Sequence, residues 1–141
     1  MNSQYVFVSG ASRGIGQSIL KLFSSKGFPV IGTATSEEGV NVIDRILSES
    51  SGGGFGIQLD LSNKQSIEKL FDTLKEKEIN PEIVVNNAGI TRDNIFLRMK
   101  DTEWDEVIQV HLSSVFLLLK FFSKKMVKNK SGRIINISST S

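Results

Sequence analysis

The 141-residue chain has the length of one domain, and 39% hydrophobic with 23% charged residues leaves room for a sizeable core in a globular fold. A net charge of only +2, with no basic stripe, argues against nucleic acid as a partner, and the lack of cysteine excludes disulfides, thiolate zinc sites and a cysteine nucleophile. Apolar sequence starts at Tyr5, too early for a leader peptide, and the longest apolar run, residues 115–122, contains Lys120 and is too short for a membrane span. The expectation is a cytoplasmic protein without a membrane partner.

Residues 5–8 read as a strand that stops in Ser9-Gly10-Ala11-Ser12-Arg13-Gly14-Ile15-Gly16 and continues as a helix. Such a glycine turn lets backbone N–H groups approach a pyrophosphate, although Gly-x-x-x-Gly-x-Gly differs from the general Gly-x-Gly-x-x-Gly pattern. Helical spacing of Ile19, Leu20, Leu22 and Phe23 predicts a helix over 17–26, stopped by Gly27. A second strand over 28–34, with Pro29 at its start, and a helix over 37–48 follow.

The run 50–54 reads as a flexible connection, because no Lys-Ser/Thr follows its glycines. Residues 55–59 predict a third strand ending in Asp60, and Ser62 is the expected cap of a helix over 64–77. Residues 83–85 predict a fourth strand. After a loop over 89–100, Asp101 is the expected cap of a long helix to about Lys128, and 132–138 predict a fifth strand. Five apolar strands alternating with helices imply a single-domain α/β fold: a three-layer, doubly wound parallel sheet of order 3-2-1-4-5.

The glycine turn, with Ser9 in place of a usual threonine, and Asn86-Asn87-Ala88-Gly89 after the fourth strand resemble two motifs of the short-chain dehydrogenase/reductase family, a Rossmann-type fold. The resemblance covers nearly all of this chain but only the N-terminal half, or somewhat more, of a family member. It implies a dinucleotide held by Gly10, Ser12, Arg13, Gly14, Ile15 and Gly16, with small residues Asn87, Ala88 and Gly89 passing its ribose. Asp60 stands where the family holds the adenine edge, with Leu61 beside it; a turn or cap role is the alternative for Asp60.

An NAD-binding unit carries an acid at the end of its second strand, which holds the ribose and repels a phosphate there. This chain has Thr33-Ala34-Thr35-Ser36 instead, with Thr35 the candidate phosphate ligand and Arg13 able to reach the same corner. The expected cofactor is NADP(H). Arg13 as a solvated surface charge, and Glu37 as a displaced acid, are the alternatives.

By the same resemblance, Ser139 matches the catalytic serine, which would polarise a substrate carbonyl as negative charge develops. Ser138 or Ser141 takes that place if the register slips. His111 stands where the family has a catalytic asparagine; imidazole can relay protons, and packing is the competing role. The family's acid tyrosine and its lysine four residues later should follow Ser139 and are not in these 141 residues. The only tyrosine, Tyr5, is expected to be structural.

The run 87–94, with Arg98, Met99, Lys100 and Trp104, resembles one branch of the family, the bacterial 3-oxoacyl-[acyl-carrier-protein] reductases. That branch implies NADPH-dependent reduction of a 3-oxoacyl thioester in fatty acid biosynthesis, with the substrate on an acidic acyl carrier protein. Lys124, Lys125, Lys128, Lys130 and Arg133 offer it a positive patch, or form a solvated face. Full-length relatives are tetramers, so a homo-oligomer is expected, with Val115, Phe116, Leu118, Leu119 and Phe122 facing either the sheet or a partner. The alternatives are a reductase of another small carbonyl, or a nucleotide-binding or interaction fragment without turnover.

Overall fold

The structure is a computed structural model that describes residues 4–90 and 94–139. Its elements run β1 (Val6–Val8), α1 (Gly14–Ser25), β2 (Val30–Ala34), α2 (Glu37–Ser48), β3 (Gly54–Gln58), α3 (Lys64–Glu76), β4 (Ile83–Asn86), α4 (Asp101–Ile108), α5 (Ser114–Asn129) and β5 (Arg133–Asn136). A 3₁₀ turn, Phe96–Arg98, precedes α4, and a π turn, Gln109–Ser113, joins α4 to α5. The strands form one parallel sheet of order β3-β2-β1-β4-β5, as the alternation predicts.

Two apolar clusters cover the two faces of the sheet. Phe7, Ile31 and Val84 pack with Ile67, Leu70 and Leu74 of α3 and Leu118, Phe122 and Met126 of α5. Val6, Val8, Val30 and Val85 pack with Leu20 of α1 and Ile43 and Leu47 of α2. Alternate residues of one strand thus serve opposite faces, which leaves β1 and β2 buried along their whole length.

The α1 stop is a Schellman turn: Gly27 takes φ +84, its N–H donates to Ser24 O at 3.0 Å, and Phe28 N–H donates to Phe23 O at 3.2 Å. Two expected caps move by one residue. Asn63, not Ser62, caps α3, its Oδ1 accepting from Gln65 N–H at 2.9 Å, because the Ser62 hydroxyl is engaged with Asp60. Lys100, not Asp101, is the α4 cap residue; its N–H donates to Glu103 Oε2 at 2.8 Å, while Asp101 adds negative charge to the first turn.

Within the run 50–54 two glycines are closely packed, whereas Ser51 is exposed and Gly53 has no described protein atom within 4 Å of its Cβ position. A Cβ at Gly52 would lie 2.1 Å from Phe28 O, and one at Gly54 1.9 Å from Val30 O. The long helix is also not uniform. At the π turn Ser114 N–H reaches back to Gln109 O, and the Val110 carbonyl bypassed by this wider turn accepts the buried Ser114 hydroxyl at 2.5 Å. By length and composition, Asp101–Asn129 is apolar enough to cross a membrane, with mean hydropathy 1.3 in its best window and 22% of that window buried. Its Leu118 and Phe122 nevertheless pack in the core, the Phe122 ring 4.8 Å from that of Phe7.

Candidate functional site

All five strands point the same way, so every segment following a strand emerges at one edge of the sheet. The order reverses between β1 and β4, and a cleft lies there. Gly10, Thr33, Ala34, Thr35, Leu59, Asp60, Leu61, Ser62, Ala88, Gly89, Ile90, Glu106 and Val110 line it.

The loop after β1 is locked to the turn after β4. The buried Ser9 hydroxyl accepts from Asn87 N–H at 3.1 Å and Ala88 N–H at 3.0 Å. The Asn87 amide donates to Gly10 O at 3.1 Å and Ser9 O at 3.3 Å. From β2, the buried Thr33 hydroxyl accepts from Gly10 N–H at 3.2 Å. Ser9 therefore anchors two strands through one oxygen, a role any hydroxyl residue can fill.

The three motif glycines are required for different reasons. Gly10 has φ +65, and a Cβ there would meet Ala88 Cα at 3.0 Å. A Cβ at Gly16 would lie 1.9 Å from Gly10 O and 2.5 Å from Asn87 Nδ2, so α1 meets the loop there without space for a side chain. Gly14 has φ +59 but no described protein atom within 4 Å of its Cβ position. Its backbone therefore faces open space at the start of α1, where N–H groups favour an anion. A dinucleotide pyrophosphate fits this donor set.

The remaining sequence candidates divide between the cleft and its rim. Ser12 is half-buried, and its carbonyl accepts from Gln17 Nε2 at 2.8 Å. Arg13 and Ile15 are exposed on the loop, outside the cleft lining. Thr35 is exposed and lines the cleft, whereas Ser36 is occupied as the α2 cap, accepting from Gly39 N–H at 3.1 Å. Glu37 is an exposed first-turn residue of α2 and does not line the cleft.

Asp60 takes the turn role and also lines the cleft. Its Oδ1 accepts from Ser62 N–H at 2.9 Å and the Ser62 hydroxyl at 2.6 Å, forming a turn, while the residue lines the cleft beside the buried Leu61. Ala88, Gly89 and Ile90 also line it, whereas Asn87 is turned to the glycine loop.

His111 sits in the π turn with Nε2 2.7 Å from Ile90 O and 3.2 Å from Ile90 N, and its ring covers Gly89. The sequence held both residues but no signal that they meet. Ser138 and Ser139 follow β5 at the same sheet edge and are exposed; Ser141 lies outside the described residues, as do Thr91, Arg92 and Asp93. Tyr5 stands at the other edge, half-buried before β1, its carbonyl accepting from Glu82 N–H at 3.0 Å.

The positive patch lies away from the cleft. Lys124, Lys125 and Lys128 occupy the last turns of α5, Lys130 its left-handed C-cap and Arg133 the start of β5. A 16-residue helix spans about 24 Å, so the patch is at the far end of α5 from His111.

Comparison with known proteins agrees with this architecture. The 3-oxoacyl-[acyl-carrier-protein] reductase FabG of Buchnera aphidicola is 45% identical over 139 residues, 99% of this chain and 56% of the relative. The FabG of Haemophilus influenzae is 46% identical with the same coverage. That of Escherichia coli is 46% identical over 94% of this chain and 53% of its own length. The chain thus spans about half the length of these curated relatives.

Among solved structures, a metagenomic short-chain oxidoreductase in complex with NADP superposes with a TM-score of 0.91 at 34% identity, covering 99% of this chain and 63% of that one. A bulky-bulky ketone specific alcohol dehydrogenase from Comamonas testosteroni, 23% identical, shares the fold with a TM-score of 0.89, covering 99% of this chain and 56% of that one. The profile of the short chain dehydrogenase family matches residues 4–141, and with the glycine loop, the braced 87–89 turn and the sheet order in place, this chain belongs to that family of oxidoreductases.

Proposed function

We propose that the chain is the NADP(H)-binding portion of a cytoplasmic 3-oxoacyl-[acyl-carrier-protein] reductase. The observation that carries this reading is the cleft itself: Gly10 of the glycine loop, Thr35, and Ala88 and Gly89 after β4 converge on it, and no carboxylate from the end of β2 lines it. The loop N–H groups at Gly14 would hold the pyrophosphate, and Asp60 and Leu61 the adenine side. Thr35 and Arg13 would hold the 2′-phosphate that an acid in this place would repel. The FabG relatives supply the substrate class.

When bound, the reduced nicotinamide supplies hydride to the β-carbonyl. Ser139 would hydrogen-bond the carbonyl oxygen as charge develops on it. The patch at the end of α5 is the proposed contact for acidic acyl carrier protein. The exposed Trp104, Leu112 and Phe116 on the long helix form the proposed homo-oligomeric face, in a tetramer for the full-length enzyme.

The test is titration of the purified chain with NADPH and NADH. At least about tenfold tighter binding of NADPH is expected. Equal affinity removes the NADP assignment, and no binding of either removes the cofactor reading.

A second reading, a nucleotide-binding module without turnover, is favoured by one observation. Tyr5, the only tyrosine, is held in the sheet at the edge away from the cleft and cannot act as the acid. For these 141 residues alone we expect cofactor binding and negligible turnover. NADPH oxidation with a β-ketoacyl thioester would overturn that expectation.

A further inference from the structure

We propose that His111 is a positioning residue: through Nε2 and the face of its ring it holds the Gly89-Ile90 segment that walls the cleft, instead of relaying protons. The functional consequence rests on the cofactor reading above; the contact itself does not.

Three observations carry it. First, the π turn places His111 opposite Ile90, and the wider turn is satisfied by the Ser114 hydroxyl bonded to Val110 O. Second, a single ring nitrogen faces both polar groups of one peptide residue, 2.7 Å from Ile90 O and 3.2 Å from Ile90 N. Neutral imidazole can satisfy only one of these with that nitrogen. The shorter contact assigns Nε2–H as donor to the carbonyl, leaving Nδ1 as the unprotonated nitrogen. An Nε2 whose proton is committed to a backbone carbonyl is a poor station in a relay, which needs protons to exchange at both nitrogens.

Third, Gly89 has no left-handed backbone, so its conformation is open to any residue. What excludes a side chain is His111: a Cβ would lie 2.6 Å from its Cε1 and 3.4 Å from each ring nitrogen, and these are the nearest atoms. Gly89 and His111 are therefore a pair coupled by size. Gly89, Ile90 and Val110 all line the cleft, so this pair sets the distance between the turn after β4 and the long helix across that wall.

The test has a cofactor-free arm and a cofactor arm. Nitrogen-15 NMR of the imidazole in the free chain is expected to show neutral His111 protonated on Nε2; a ring protonated on Nδ1 overturns the assignment. In the second arm, Gly89→Ala is compared in the wild-type and His111→Ala backgrounds. We expect it to lower the urea midpoint with histidine present and not when residue 111 is alanine, and to weaken NADPH binding by about tenfold with histidine present but by clearly less in the alanine background. Equal losses in both backgrounds overturn the inference. If the wild-type chain binds no NADPH, the cofactor reading fails, while the tautomer and the urea midpoints still decide the contact.

Discussion

The turn after β4 and the segment after β5 emerge side by side at one sheet edge, yet they are held very differently. Residues 87 and 88 are tied to β1 by the Ser9 hydroxyl and to the glycine loop by the Asn87 amide, over a strand whose Val84 and Val85 are buried. Strand β5 is exposed along all four residues, with Ile134 at 43% and Ile135 at 41%. The contrast shows where this chain braces its own site. The side of the cleft formed by the glycine loop and the turn after β4 is fixed by interactions within the chain, whereas Ser139 follows a strand that, among the described residues, pairs on one side only.

The contrast can be broken most severely at Gly16. Gly16→Ala places a methyl carbon inside contact distance of Gly10 O, and we expect a loss of about 3 kcal/mol in urea unfolding, at the upper end for overpacking. Gly14→Ala sharpens the point. With only its positive φ to oppose, it should cost about 1 kcal/mol of stability while abolishing most NADPH binding. If the two variants lose stability equally, the division between a packing glycine and a ligand-facing glycine is wrong.

Ser9→Ala comes next, because it removes a buried acceptor shared by two part-buried N–H donors. We expect about 1–3 kcal/mol of destabilisation, largely restored in Ser9→Thr. Arg13→Ala should leave unfolding within about 0.5 kcal/mol of wild type, since the side chain is exposed. Its NADPH affinity should fall severalfold and its NADH affinity should hold; a parallel loss of both would return Arg13 to the status of a surface charge. The smallest effect belongs to the edge. Ile134→Thr should shift the urea midpoint by no more than about 0.5 kcal/mol, against roughly 2 kcal/mol for Val84→Ala in the centre of the sheet. Comparable losses would show that β5 is braced as firmly as β4.

Much of the cleft was legible before any coordinates, because its parts are local. Gly27 announces a helix stop through a backbone conformation that glycine adopts freely, and the structure has the helix end there, in a Schellman turn. Thr35, Asp60 and the 87–89 turn could be placed together because they end strands of one parallel sheet. The misplaced caps show the limit of local reading. Ser62 and Asn63 are both good caps by composition, and the choice went to Asn63 because the Ser62 hydroxyl was already bonded to Asp60. The run 50–54 reads as flexible from its glycines, but Gly52 and Gly54 answer to carbonyls of residues 28 and 30, more than twenty positions away in the chain.

The sequence by itself determined the strand and helix order, the sheet topology that follows from right-handed crossovers, and the glycine loop at the switch point. These depend on periodicity and backbone preferences that operate within a few residues. Only the tertiary structure decided which glycine yields to packing and which to open space, that Ser9 bridges two strands, and that His111 closes on Gly89 and Ile90. Each of these is a contact between segments far apart in the chain, and its distance is set by how the helices and sheet pack together.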